Sequence, residues 1–100
     1  MKIKVIRQET VANTRINYKF DVKGYKFLVK NLTDDDILVA LDENATEDEM
    51  VLIPSECSQI VQVYEHLSIQ NTSDTVRSDT VSILPKSTSD KGVEVQCLLW

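Results

Sequence analysis

The segment "RINYKFDVKGYKFLVKN", residues 15–31, sets Ile16, Tyr18, Phe20 and Val22 against Arg15, Asn17, Lys19 and Asp21. Strict alternation of apolar and polar residues has a period of two, and an extended strand is what gathers residues so spaced on one face. The habit recurs along the chain. "KIKVIRQ" brings Ile3 and Val5 to one face, and "VEVQCLLW" brings together Val93, Val95, Cys97 and Leu99. No long stretch repeats apolar residues at i, i+3, i+4 and i+7, Ala is scarce, and Val, Ile, Thr and Tyr are frequent. These residue types suit a pleated, half-buried surface and not a helix bundle.

The runs are cut by turn residues at intervals of about 8–12 residues. Lys23 and Gly24 separate "RINYKFDV" from "YKFLVKN" and make the two a candidate hairpin. "DDD" then gives way to "ILVALD". After "ENATEDE" comes "MVLIP", which ends at Pro54 because proline has no N–H for a ladder. Thr46 and Glu49 have capping-box spacing, but the Ile53-Pro54 that follows leaves room for one helical turn at most. "SECSQ" forms a corner into "IVQVYEHLSIQ", with a bend near Glu65 and His66. "NTSD" turns the chain into "TVRSDTVSILP", with a break near Ser78 and Asp79, and "KSTSDKG" is a loop closed by Gly92. Eight or nine short strands in 100 residues predict an all-β fold, an antiparallel β-sandwich forming one domain over residues 1–100.

Charge is unevenly placed. Residues 1–30 hold eight Lys/Arg and two acids, a net of +6, and residues 31–100 hold three Lys/Arg and fourteen acids, a net of −11. The sum is the overall −5. An acidic chain is a poor nucleic-acid binder. The split implies either pairing of unlike surfaces between copies or neighbouring strands that cancel. No apolar run approaches the roughly 18–20 residues of a bilayer-spanning helix. The basic start lacks the apolar stretch of a signal peptide, so the expectation is a soluble, cytosolically made protein without membrane or nucleic-acid partners.

Residues 31–50 hold eight acids and no base. Asp34, Asp36 and Asp42 are the residues that could converge on a cation from the two ends of a strand. A calcium loop of EF-hand type needs alternating oxygens and a glycine at its sixth place, and neither is present. A glycosidase pair needs one carboxyl in an apolar pocket, whereas all eight acids fall in loops. His66, the single histidine, lies nine residues from Cys57 along an extended chain, out of direct reach, and Cys97 falls on the core face. The expectation is therefore no catalytic residue, no metal and no cofactor. Cys57 and Cys97 lack metal-ligand spacing, and a reducing compartment would keep both as thiols. The Asn-x-Ser/Thr triplets at Asn31, Asn44 and Asn71 are expected by chance in a chain this rich in Asn, Thr and Ser. Tyr18 and Phe20 share the core face. Leu98, Trp100 and Tyr64 are the candidates for contact with another subunit, since large apolar side chains carry interfaces.

The stretch "FLVKNLTDDDILVALDENATEDEMVLIPSECSQIV" carries a pattern of strand, acidic turn, "Val-x-Leu-Asp" strand, acidic loop and "Ile-Pro" corner. Through Val29, Asn31, Thr33, Asp34, Asp36, Ile37, Val39, Leu41, Asp42, Ile53 and Pro54, and through the closing "GVEVQCLLW", it resembles small β-sandwich virion proteins of tailed bacteriophages and prophages. It departs from them in having only Gly24 and Gly92 where that group has glycine-rich loops. The resemblance implies a non-enzymatic head-decoration, head-fibre or neck component, made in the bacterial host cytoplasm and residing in the virion. Its implied partners are other virion proteins and further copies of itself. The alternative is a free-standing module for carbohydrate or a cell-surface ligand, for which Tyr25, Tyr64 and Trp100 are the candidate surface aromatics.

Overall fold

The computed structural model describes residues 4–62 and 77–99. Ile3, Tyr64, His66, Asn71 and Trp100, the bend near Glu65 and the "NTSD" turn lie outside the described residues. The described chain forms eight strands: β1 (Lys4–Thr10), β2 (Ile16–Gly24), β3 (Lys26–Asn31), β4 (Ile37–Ala40), β5 (Val51–Ile53), β6 (Ser58–Gln62), β7 (Ser78–Pro85) and β8 (Ser89–Leu99). They make two four-stranded sheets, ordered β1-β8-β3-β6 and β2-β7-β4-β5, with every pairing antiparallel.

The partners follow a rule: β1 takes β8, β2 takes β7, β3 takes β6 and β4 takes β5. That is one long antiparallel ribbon, doubled at the β4–β5 connection and rolled so that β3 meets β8 and β4 meets β7. The result is an all-β sandwich with jelly-roll connectivity.

The core lies between the inner faces. The first sheet sends in Phe27, Val29, Val61, Val93, Val95 and Cys97, and the second sends in Tyr18, Phe20, Ile37, Val39, Ile53, Val81 and Ile83. Phe20 and Phe27 meet across the sandwich with ring centroids 5.7 Å apart and planes tilted by 43°, a geometry aromatic pairs favour. The Tyr18 hydroxyl is buried in this layer without a hydrogen-bond partner. Burial pushes its pKa up to about 12, and an unpaired buried hydroxyl costs about 1–3 kcal/mol.

The expected hairpin between the runs around Tyr18 and Phe27 does not form. β2 and β3 belong to different sheets. β2 leaves the β7 ladder after Lys19 and touches it again only at Gly24, opposite Ser78. The chain bends there and crosses to the facing sheet. A hairpin and a sheet-to-sheet corner both send alternate residues into one core, so alternation alone does not separate them. On β1 the inward residue is Ile6, and Val5 is about half exposed, at 49%. The register decides this: Ile6 stands opposite Val95 and Val5 opposite Gln96, and residues opposite each other share a face. The loop expected to run to Gly92 also ends early, because β8 begins at Ser89 and carries an irregularity opposite Glu9. Strand β7 starts at Ser78 and runs unbroken to Pro85.

Candidate functional site

The acidic stretch builds turns. Among the described residues no three His, Cys, Asp or Glu side chains converge as a metal site requires. The Asp42 carboxylate accepts from the Asn44 N–H at 2.9 Å, and the Asp35 carboxylate accepts from the Asp36 N–H at 2.7 Å. The Thr46 N–H donates to Glu49 Oε1 at 2.9 Å, the reach-back half of a capping box on a single 3-10 turn, Glu47–Glu49. The Thr46 hydroxyl donates to Asp48 at 2.6 Å and holds that carboxyl below its ordinary value. Acids are favoured in such a first turn because they satisfy backbone N–H groups.

Asn31 is the hub under this region. Its side-chain N–H groups donate to the carbonyls of Asp35 at 2.8 Å and Ile53 at 3.0 Å. Its carbonyl oxygen accepts from the Thr33 N–H at 2.9 Å and the Thr33 hydroxyl at 2.7 Å. All four sites of the amide are used, and the residue is fully buried. It ties β3 of one sheet to β5 of the other. Its amide is therefore committed inside the fold and not presented for glycosylation.

A second tie lies on the outside. The Arg15 guanidinium donates to the Ser82 hydroxyl at 2.6 Å, the Ala45 carbonyl at 2.6 Å and the Asp42 carbonyl at 3.2 Å. It holds the loop of residues 41–46 back over the outer face of the second sheet, where Ala45 and Ser82 are buried. Lys19 meets Glu43 of the same loop at 3.2 Å.

Beside this clamp the outer face is apolar. Leu38 of β4 stands between Leu52 of β5 and Leu84 of β7 in one cross-strand row. Leu38 and Leu84 are half-buried, and Leu52, on the edge strand, is 50% exposed. The turn of residues 54–57, closed by the Cys57 N–H donating to the Pro54 carbonyl at 3.2 Å, carries the chain from β5 to β6. Strand β6 is the edge of the other sheet, and its outward Ile60, opposite Leu28, is 51% exposed. The edge strands β5 and β6 thus carry Val51, Leu52 and Ile60, three of the six large apolar residues exposed among the described residues, with Leu52 on the outer face of the second sheet and Ile60 on that of the first. The leucine row across β7, β4 and β5 is the continuous part of this apolar surface, and such surface marks a contact site.

The outer face of the first sheet carries a charge cluster. Glu94 accepts from Arg7 and from Gln96, each at 2.6 Å, and Lys30 lies 3.3 Å away. Gln96, Arg7 and Lys30 together hold its carboxyl at about 2, below its ordinary 4.5. Glu94 is 5% exposed because these side chains lie over it on the solvent side of the sheet. A depressed folded pKa gives a stabilisation that is complete above the ordinary value and is lost as pH falls from about 4.5 to about 2. Arg7 remains 76% exposed, so screening leaves the contribution at roughly 1–2 kcal/mol. Glu94→Gln is expected to be less stable than the native chain by that amount at neutral pH and to converge with it near pH 2. Urea melts across this window measure the difference. A gap that stays constant with pH would assign the effect to packing.

Of the expected contact residues, Leu98 is half-buried near the end of β8, while Tyr64 and Trp100 lie outside the described residues. Tyr25, one of the candidate sugar-stacking aromatics, has the Arg77 guanidinium over its ring at 5.5 Å, so that face is already used. Cys57 is exposed on its turn and Cys97 is in the core. Asp34, Asp36 and Asp42 are not brought together. The β5/β6 side escaped the sequence reading because "MVLIP" is apolar throughout and does not say which residue faces out. The available signal was length: a three-residue strand inside four successive apolar residues must expose at least one. Comparison with protein-family models, with curated proteins and with solved structures gives no match to this chain.

Proposed function

We propose that the protein is a non-enzymatic structural subunit of a tailed phage or prophage virion, working by protein–protein contact through the β5/β6 side of its sandwich. The observation that carries the contact reading is the leucine row that ends in the exposed Leu52 on β5, with Val51 beside it and Ile60 exposed on β6, each strand the last of its sheet. Covering half-exposed side chains of this kind contributes roughly 1 kcal/mol each. Edge strands also hold backbone groups ready to pair with another chain. The virion assignment draws on the resemblance in residues 25–69 and 92–100, and the jelly-roll roll-up is an architecture that capsid proteins use. Lectins use it as well, so the fold alone assigns no role.

The test is to purify particles from the encoding strain after prophage induction and quantify the chain by mass spectrometry. It is expected in the particle fraction at many copies. Leu52→Arg is expected to lower incorporation about tenfold or more, which corresponds to about 1.4 kcal/mol or more of contact energy. Val5→Arg, at a similarly exposed apolar residue on β1, the edge strand at the other end of the first sheet (49% exposed), is expected to incorporate normally. Particles that lack the native chain overturn the virion reading. Equal incorporation of Leu52→Arg overturns the role of this surface.

A further inference from the structure

We infer that residues 42–49 form an ionic strap, a pre-shaped loop that lifts off the outer face of the second sheet while the sandwich stays folded. The inference goes beyond the contact reading and does not rest on it. Val39, Val81 and Ile83 point into the core, so their strand neighbours Ala40 and Ser82, which stand opposite each other, point outward. Outward residues on an open sheet face meet water, yet Ser82 is 0% exposed and Ala40 8%. In the adjoining row Leu38 and Leu84 point the same way and are only half-buried. The loop is what lies over Ser82, because Arg15 bonds the Ser82 hydroxyl and, from the same guanidinium, the carbonyls of Asp42 and Ala45.

What fastens the loop is mostly polar. Residues 41–49 hold Asp42, Glu43, Glu47, Asp48 and Glu49 and no base, a net of −5. Three cations from outside the loop meet it: Arg15 at its carbonyls, Lys19 at Glu43 (3.2 Å) and Lys86 at Glu47 (3.8 Å). Both lysine pairs are open to solvent, and such pairs are weak and screened by salt. Ala45 is the one buried residue among residues 42–49. A segment held by exposed polar contacts and one small apolar side chain opens at the low end of local stabilities. The loop also keeps its own shape. Asp42 accepts from the Asn44 N–H, Glu49 from the Thr46 N–H and Asp48 from the Thr46 hydroxyl, all within the loop. None of these bonds breaks when the loop lifts. The Ser78 hydroxyl ties its first end at the Leu41 carbonyl (2.8 Å), and its second end runs into β5. The loop therefore moves as a unit between two fixed ends. Lifting uncovers Ala40 and Ser82 beside Leu38 and Leu84, so ionic conditions set how much of this face is open.

The experiment measures thiol labelling by a neutral maleimide in a Cys57→Ser background, where the buried Cys97 reports global unfolding. Ala45→Cys probes the strap and Ala40→Cys the sheet beneath it, both at buried positions. Asn44→Cys, at an exposed position on the same loop, corrects for the effect of salt on the thiol itself. In low salt both probes are expected to label at least about tenfold more slowly than Asn44→Cys and at least about tenfold faster than Cys97. In about 1 M salt, where the Debye length falls to about 3 Å, both are expected to speed up about fivefold relative to Asn44→Cys, with Cys97 unchanged. Lys19→Gln combined with Lys86→Gln is expected to reproduce that acceleration in low salt, with circular dichroism checking the fold. Labelling of both probes in step with Cys97 would mean that the loop leaves only when the sandwich unfolds, and would overturn the inference. Probes as reactive as Asn44→Cys in low salt would overturn it too, as would rates indifferent to salt and to the lysine changes. Acceleration at Ala45→Cys without acceleration at Ala40→Cys would show a loop that frays without uncovering the sheet, and would also overturn it.

Discussion

Gly92→Ala is expected to leave little folded protein. Gly92 has φ of +62°, and a methyl group built on it would lie 1.9 Å from the Gln8 carbonyl oxygen, 2.7 Å from the Gln8 carbonyl carbon and 2.8 Å from Glu9 Cα. These are backbone atoms of β1, so no side chain can rotate aside. Withdrawing β8 is also costly, because the Gly92 carbonyl accepts from the Leu32 N–H at 3.0 Å on its other flank. The left-handed conformation alone costs alanine about 1–2 kcal/mol. Forcing β1 off β8 brings the total to about 4 kcal/mol or more, the range of the most damaging single substitutions. A small domain has roughly 5–15 kcal/mol in all. Urea melts of the purified variant, or its soluble yield, measure this. A loss under about 1 kcal/mol would mean that β1 is not held against β8 at this point.

The second large effect is expected at Asn31. Asn31→Asp exchanges an amide that donates to two carbonyls for a carboxylate that faces them with negative oxygen. The site is fully buried, so the charge has neither water nor a cation. The expected loss at neutral pH is about 3–5 kcal/mol, the scale of an uncompensated buried charge. The pH dependence has a definite sign. The folded variant favours the protonated acid, so its pKa is raised above the unfolded value of about 3.9. The penalty is full above the folded pKa and shrinks as pH falls toward the unfolded one. The gap to the native chain is therefore expected to narrow between pH 7 and pH 5. That interval lies above the Glu94 window, so the native reference is steady. Asn31→Ala is expected to be destabilised without this dependence. Equal losses for Asn31→Asp at both pH values would mean that the introduced carboxyl has swung away from the Asp35 and Ile53 carbonyls.

Both positions show what a sequence of this kind discloses. The alternation at residues 16–22 and 93–97 correctly gives strands and inward faces, because a half-buried strand must separate polar from apolar residues. Pro54 correctly ends β5. The layer to which each strand belongs is another matter. Gly24 could turn within a sheet or between sheets, and the choice depends on β7, more than fifty residues later, which takes β2 as its partner. Val5 and Ile6 are equally apolar, and only the register with Val95 and Gln96 decides which one is buried. The leucine row is invisible for a related reason. Leu38, Leu52 and Leu84 are each flanked by apolar neighbours on the strand, and they become a strip only when three strands align. Arg15 reads as one more polar partner in an alternating run. Its role as a clamp depends on carbonyls of residues 42 and 45, and backbone acceptors leave no mark in side-chain chemistry. The acidic turns were legible as turns, since short acids beside backbone N–H groups serve there without any ligand.

The doubled ribbon also governs how the chain reaches its native state. Strand β8 sits at the heart of one sheet, between β1 and β3, and Arg7 and Glu94, which meet across that pairing, are 87 residues apart in sequence. Closing a loop of that length costs about 2 kcal/mol more in chain entropy than closing one of ten residues. Few local contacts compensate for this early in folding, and folds dominated by distant pairings reach the native state in milliseconds to seconds. On the ribosome, β1 and β3 emerge tens of residues before the strand that separates them. At synthesis rates of about 5–20 residues per second, they wait for seconds with their ladder groups unmatched. The chain's exposure to mispairing is therefore concentrated in synthesis, before β8 arrives to fill the gap between them.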